Sequence, residues 1–284
     1  MNTWITQKKG TIHQFCLSLA ITSVVLGLSG CEPPMGGGGS TPAVPDPNHI
    51  YSIGNWQIQA TPTTGSAPFT SLAGFINELG TDPGINDLTT AALQAQSTTC
   101  YMNTPTVPLQ GAVLGYQLGL RSFNVDGQII MIDAAEDATV THLTGTYSVA
   151  GGCADGAKGT LSGVKYLALT GKYRGNVTSS STPQSMQLSL AQFQQGTGAG
   201  IFLVSGSGAF TGIPCFTQAS LASSDGGVVG SAVKLSFLTN DPASARLILT
   251  GTMTSDAKIF TVVTANITGG SCAGSLGGVV LTIQ

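Results

Sequence analysis

Apolar and polar residues alternate in short runs along most of this chain. Met186-Gln187-Leu188-Ser189-Leu190-Ala191 and Val233-Lys234-Leu235-Ser236-Phe237 put every second side chain on one face, the period of a half-buried strand. Ile129 to Ile132 and Leu247 to Leu249 are shorter continuous apolar runs. Turn formers separate the runs at hairpin-like intervals, as in Asn124-Val125-Asp126-Gly127, Ser224-Asp225-Gly226-Gly227 and Asn240-Asp241-Pro242. Ala and Leu gather only at 71–79 and 87–95. The first segment reads as strand; the second is open between helix and strand.

The strand pattern repeats. Gly54-Asn55-Trp56 recurs as Gly171-Lys172-Tyr173, and Cys100-Tyr101 recurs as Cys215-Phe216. LTGTYSVAGGCADGAKGTL around Cys153 recurs as VVTANITGGSCAGSLGGVV around Cys272. The three landmarks keep their order at nearly one period, so two β units are expected, 54–170 and 171–284. Some 115 residues of closely spaced strands suit a small antiparallel barrel or sandwich. The expected fold class is therefore all-β, with two repeated units that are two barrels, two sandwiches or one joint barrel.

The N-terminal segment follows a different pattern. Lys8 and Lys9 precede a fourteen-residue apolar stretch, Phe15 to Leu28, and Leu28-Ser29-Gly30-Cys31 follows. A basic start, a short apolar core and small residues before a cut make a secretory signal peptide, 1–30. Fourteen helical residues rise about 21 Å, short of the ~30 Å that a membrane span requires. The Leu-Ser-Gly-Cys run resembles the lipobox of bacterial lipoproteins, which implies lipidation of Cys31 and its exposure as the new N-terminus. Glu32 follows where the inner-membrane retention signal of enteric bacteria has aspartate, so the resemblance points to the outer membrane. Residues 31–53 then combine the lipidated cysteine with a Pro/Gly-rich tether, expected to be disordered, with a root-mean-square reach of roughly 25 Å.

Two further resemblances bear on the units. Gly54-Asn55-Trp56 is similar to the first-strand Gly-x-Trp of lipocalins, which implies a barrel with tryptophan plugging one end. The VPLQG, VDGQII and LTGTYSVAGGCADGAKGT stretches look like those of two-repeat β-rich lipoproteins from soil bacteria, a likeness that carries no activity with it.

Charge and cysteine content narrow the partners. Charged residues make up 8% of the chain, against roughly 25% in ordinary soluble domains. Cleavage would leave eight Lys and Arg against thirteen Asp and Glu, a net charge of about −5. That balance argues against nucleic acid, whose phosphates need a basic face, and leaves membrane affinity to the acyl chains on Cys31. Of six cysteines, Cys16 goes with the signal peptide and Cys31 takes lipid. Cys100, Cys153, Cys215 and Cys272 remain for an oxidising compartment. Pairing within each unit gives both halves the same bridge, so Cys100–Cys153 and Cys215–Cys272 are expected.

Candidate chemistry is sparse. The mature chain has two histidines: His49 in the tether and His142 in Thr139-Val140-Thr141-His142-Leu143. No Gly-x-Ser-x-Gly elbow accompanies them, and His142 reads as a half-exposed strand residue. Paired cysteines are not nucleophiles, and neither Cys-x-x-Cys nor HExxH spacing occurs. Asp133, Glu136 and Asp137, with Asp126 nearby, form the densest acidic group. They match no EF-hand loop and read as a solvated turn. Aromatics fall about one per strand, as core fillers or as the lining of a ligand-holding lumen.

The expectation is a non-catalytic envelope lipoprotein with no cofactor or metal, engaging an envelope protein or a glycan. The alternative is a lipocalin-like carrier of small apolar ligands, which needs an unfilled interior.

Overall fold

A computed structural model describes residues 53–79, 87–96, 100–101, 106–178 and 183–284. The expected signal peptide, the lipobox-like run ending at Cys31, and the expected tether with His49, apart from Ile53, lie outside these residues. The first unit supplies β1 (Gly54–Thr64), β2 (Ser71–Leu79), β3 (Asp87–Gln96), β4 (Thr106–Leu114), β5 (Gln117–Ser122), β6 (Ile129–Glu136), β7 (His142–Ala150) and β8 (Lys158–Tyr166). Each strand pairs antiparallel with the next, and β8 returns to β1 with Asn55 opposite Tyr166, which closes a barrel. The segment left open at 87–95 is strand, because its Ala and Leu residues pair on both sides, with β2 and with β4.

The second unit supplies β9 (Gly171–Asn176), β10 (Ser185–Gly196), β11 (Phe202–Thr211), β12 (Gln218–Leu221), β13 (Gly226–Val229), β14 (Ala232–Thr239), β15 (Arg246–Met253), β16 (Ile259–Thr268), β17 (Gly274–Leu276) and β18 (Val279–Ile283). It also closes, through β10 on β11 and β18 on β9. Two of its staves are broken. Both β12 and β13 pair with β11 and β14, and both β17 and β18 pair with β16. Counting each broken stave once gives eight, so the barrels correspond strand for strand.

One turn signal is displaced. Ser224-Asp225-Gly226-Gly227 does not reverse the chain. Ser223–Asp225 is a single 3-10 turn, and Gly226 already begins β13. The reversal comes at Gly230-Ser231, with Gly230 at φ 55°. Only a positive φ fits such a two-residue hairpin turn, hence the glycine.

Alternating burial fills both interiors. β6 points Ile130, Ile132 and Ala134 inward, and β14 points Val233, Leu235 and Phe237 inward. An eight-stranded barrel is just wide enough for such side chains. Trp56 and Tyr173, at matching places in β1 and β9, are both fully buried. The Tyr173 hydroxyl donates to the Ala257 carbonyl at 2.7 Å, while the Lys165 ammonium lies 6.0 Å from the Trp56 ring centre. The two cores are separate clusters, but Phe75 and Tyr166 of the first barrel also pack on the core of the second.

Disulfides join Cys100 to Cys153 and Cys215 to Cys272, with Cα atoms 5.7 and 6.0 Å apart. In each barrel the bridge ties the connection after the third strand to the one after the seventh.

Candidate functional site

The sequence-derived candidates do not converge. His142 opens β7 with an exposed side chain, and its Nδ1–H donates to Asp137 Oδ2 at 3.1 Å. Asp137 is the hub of the β6–β7 turn. It accepts from the backbone N–H of Thr141 at 2.9 Å, from the backbone N–H of Thr139 at 3.2 Å, and from the Thr139 hydroxyl at 3.0 Å. The Thr141 N–H above all, then the His142 ring and the Thr139 hydroxyl, hold its carboxyl well below the usual carboxylate range.

The second barrel closes the matching turn without a histidine. Thr254 N–H donates to Ile259 O at 3.0 Å, as Asp137 N–H does to His142 O, and Ala257 takes the positive φ of Val140. Thr254 and Asp256 supply the side-chain bonds there. Ile259 stands where His142 stands, so this turn requires no imidazole.

The acidic group is dispersed by strand alternation. Asp133 points out of β6, Glu136 points inward, and Asp137 serves the turn. Asp126 sits in the β5–β6 turn at the opposite end of the barrel. Among the described residues, no group of three or more His, Cys, Asp or Glu is placed to hold a metal. Buried phenols are a second perturbed class. Desolvation, then the charge of Asp126, pushes Tyr101 up to about 12. Burial raises Tyr147, and burial with Asp256 raises Tyr173.

A different site emerges where the two barrels meet, both within one compact unit. The outer wall of β1–β3 receives two hairpin turns of the second barrel. Asn55, 1% exposed, donates through Nδ2 to the Gly230 carbonyl at 2.8 Å. It accepts the Gly230 N–H on Oδ1 at 2.6 Å. An amide carries one donor face and one acceptor face, so it answers both the N–H and the C=O of Gly230. Gln57 Oε1 accepts the Ser231 N–H at 3.3 Å, and Gln94 Nε2 donates to the Ala199 carbonyl at 3.0 Å.

Phe75 meets Phe202 edge-to-face with ring centres 5.3 Å apart. Beside them the backbones touch: a Cβ on Gly200 would run into the Ala92 carbonyl. For comparison, the exposed Lys258–Asp256 ion pair is screened by solvent and adds little. The joint rests on the buried amide–peptide pair and the aromatic contact.

Two grooves run beside the inserted β10–β11 hairpin. The larger, about 540 Å³, is lined by Gln94 of the first barrel with Ile201, Leu203, Asp225, Lys234 and Ile248 of the second. Its acid is engaged, since Arg246 reaches Asp225 Oδ2 at 2.8 Å. The smaller, about 300 Å³, is lined by Phe75, Ala92, Pro108 and Phe123 against Gly196–Gly198. Phe123 is 53% exposed there, an aromatic ring left at a groove rim. Both grooves are open and partly apolar; both barrels wall the smaller one, while the larger is a surface of the second barrel edged by Gln94 of the first. They can hold an extended segment or a chain of sugar rings.

Asparagine on the outer face of a strand was the available signal for this site, because strands disfavour it. Its partner is backbone, 175 residues away, which no side-chain pattern reveals. No protein-family model matches the chain, and no curated protein matches it.

Proposed function

We propose that this protein is a non-catalytic, lipid-anchored module of the bacterial cell envelope that engages its partner at the seam between its barrels. The observation that carries the reading is the pair of open grooves at the seam, one walled by both barrels with Phe123 at its rim, the other on the second barrel with Gln94 of the first at its edge and Lys234 in its lining. Partly apolar concavities at domain junctions are a common location for binding surfaces. The buried joint supports this role, because groove walls already packed together before a partner arrives lower the ordering cost of binding. The Leu-Ser-Gly-Cys run supplies the anchor at Cys31, and the tether gives the reach. The occupied interiors argue against the carrier, which needs a lumen. The role of Asp137 and His142 in a turn that the second barrel closes without histidine favours a module over a hydrolase.

Two experiments test the two halves of the reading. Labelled palmitate fed to an expressing bacterium should enter the wild type and not Cys31→Ser, and the variant should leave the membrane fraction. Capture from crosslinked envelopes should recover a partner with the wild type. Phe123→Ser and Lys234→Glu should lower that recovery at least tenfold, since truncating one interface anchor commonly costs about 2 kcal/mol. Equal recovery by wild type and both variants would remove the seam from the account while leaving the anchor standing.

A further inference from the structure

The joint between the barrels is heterologous: one contributes a wall and the other contributes turns. Such a joint, repeated from chain to chain, builds open filaments unless something stops it. Because the barrels match strand for strand, each also carries a copy of the surface that it does not use in the joint.

Register identifies those copies. Asn55 lies opposite Phe75 as Lys172 lies opposite Ser189, and Gln57 opposite Ala73 as Arg174 opposite Gln187. Phe75 faces Ala92 on β3 as Ser189 faces Ser207 on β11. The outer wall of β9–β11 is therefore the second barrel's copy of the receiving wall. A depression of about 400 Å³ lies over it, lined by Lys172, Gln187, Ser189, Ser207 and Gln218. On the first barrel, Gly115-Tyr116 between Leu114 and Gln117 is the copy of Gly230-Ser231 between Val229 and Ala232. Gly115 has φ 61° where Gly230 has 55°. This turn projects into solvent, with Leu114 56% and Tyr116 41% exposed.

The copies keep the backbone and change the chemistry. Asn55 answers both the N–H and the C=O of Gly230, whereas the ammonium of Lys172 only donates and leaves a turn N–H unanswered. Arg174 likewise replaces the accepting oxygen of Gln57 with donors. Burying either cation against a neutral turn would cost desolvation with no partner charge. Bulk changes as well. The small Ala73, against which Gly230 packs, becomes Gln187, and Ser231 becomes Tyr116. The aromatic anchor Phe75 becomes Ser189.

We propose that the outer wall of β9–β11 is a latent receiving surface for the Gly115-Tyr116 turn of a second copy of this chain, held shut by Lys172, Arg174 and Gln187. These exchanges end the assembly at two barrels, which matters for a molecule concentrated on a membrane by its anchor.

Sedimentation velocity tests this on the soluble chain beginning after Cys31. The wild type should run as one monomer boundary up to about 1 mM, the weak end of specific affinity. The variant K172N/R174Q/Q187A/S189F/Y116S, which writes the joint's residues onto both free surfaces, should at least double in mass as concentration rises. Adding Leu114→Asp to it should restore the monomer. K172N/R174Q alters two exposed residues only and should shift the same way if the larger variant misfolds. The proposal is overturned if wild type already associates through this wall, lost on Lys172→Glu, or if the folded variants stay monomeric.

Discussion

Asn55 and Gly230, 175 residues apart, exchange two hydrogen bonds at 2.8 and 2.6 Å across the joint between the barrels. Asn55→Ala strips both the N–H and the C=O of Gly230 of their partners in a buried setting. The expected loss is about 2–4 kcal/mol, from two buried polar groups left unanswered. Urea unfolding should show it: the wild type is expected to unfold in one transition, and the variant's should split as the barrels lose their coupling. A midpoint unchanged within error would mean that the joint contributes no stability.

Asp137 should make the β6–β7 turn acid-sensitive. Its folded pKa lies below its unfolded value of about 4. The stabilisation is therefore complete above pH 4 and lost as pH falls toward the folded value. Calorimetry of wild type and Asp137→Ala should show a melting-temperature gap at pH 6 that narrows at pH 2. A gap of constant size across that range would contradict the turn-hub role.

At the alkaline end the sign reverses. Tyr101 ionises near pH 10 when unfolded and at about 12 when folded. Between those values the unfolded chain releases a proton that the folded one keeps, so stability falls as pH rises. The loss from Tyr101 should be on the order of 2 kcal/mol once pH reaches about 12. Tyr147 and Tyr173 shift in the same direction and add to it. Denaturant midpoints at pH 9 and 11.5 should differ less in Tyr101→Phe than in wild type; identical slopes would remove Tyr101 as a cause.

The two disulfides close loops of similar length, 53 and 57 residues. On the chain-entropy account each contributes up to about 4 kcal/mol, and the two should be nearly equal. C100S/C153S and C215S/C272S should therefore lower the denaturation midpoint by comparable amounts. Non-reducing peptide maps should recover each pair and no crossed pair. A crossed peptide would break the repeat argument.

Legibility in the sequence followed the range of the interactions. Alternation at 186–191 and 233–237 foretold β10 and β14, because period-two burial is written locally. The landmarks at Trp56 and Tyr173 and the four cysteines exposed the repeat. Ala and Leu at 87–95 gave no decision, since both suit a helix until ladder pairing to β2 and β4 fixes the strand. The turn expected at 224–227 was misplaced because Gly226 and Gly227 serve β13, while Gly230-Ser231 makes the reversal. The joint itself was hidden: Asn55, Gln57 and Gln94 all bond to backbone, and glycines such as Gly200 matter for what they lack. The groove beside Phe123 arises only once the barrels meet.

Site-specific photocrosslinking on intact envelopes tests the seam most directly. A photoreactive residue at Phe123 or Leu203 should give a discrete adduct with a partner protein, or with a glycan that resists protease. The same residue at Met131, on the outer wall of β6 and outside both grooves, should give none. Adducts at Met131 equal to those at Phe123 and Leu203, or none at any of the three, would contradict a binding role for the seam.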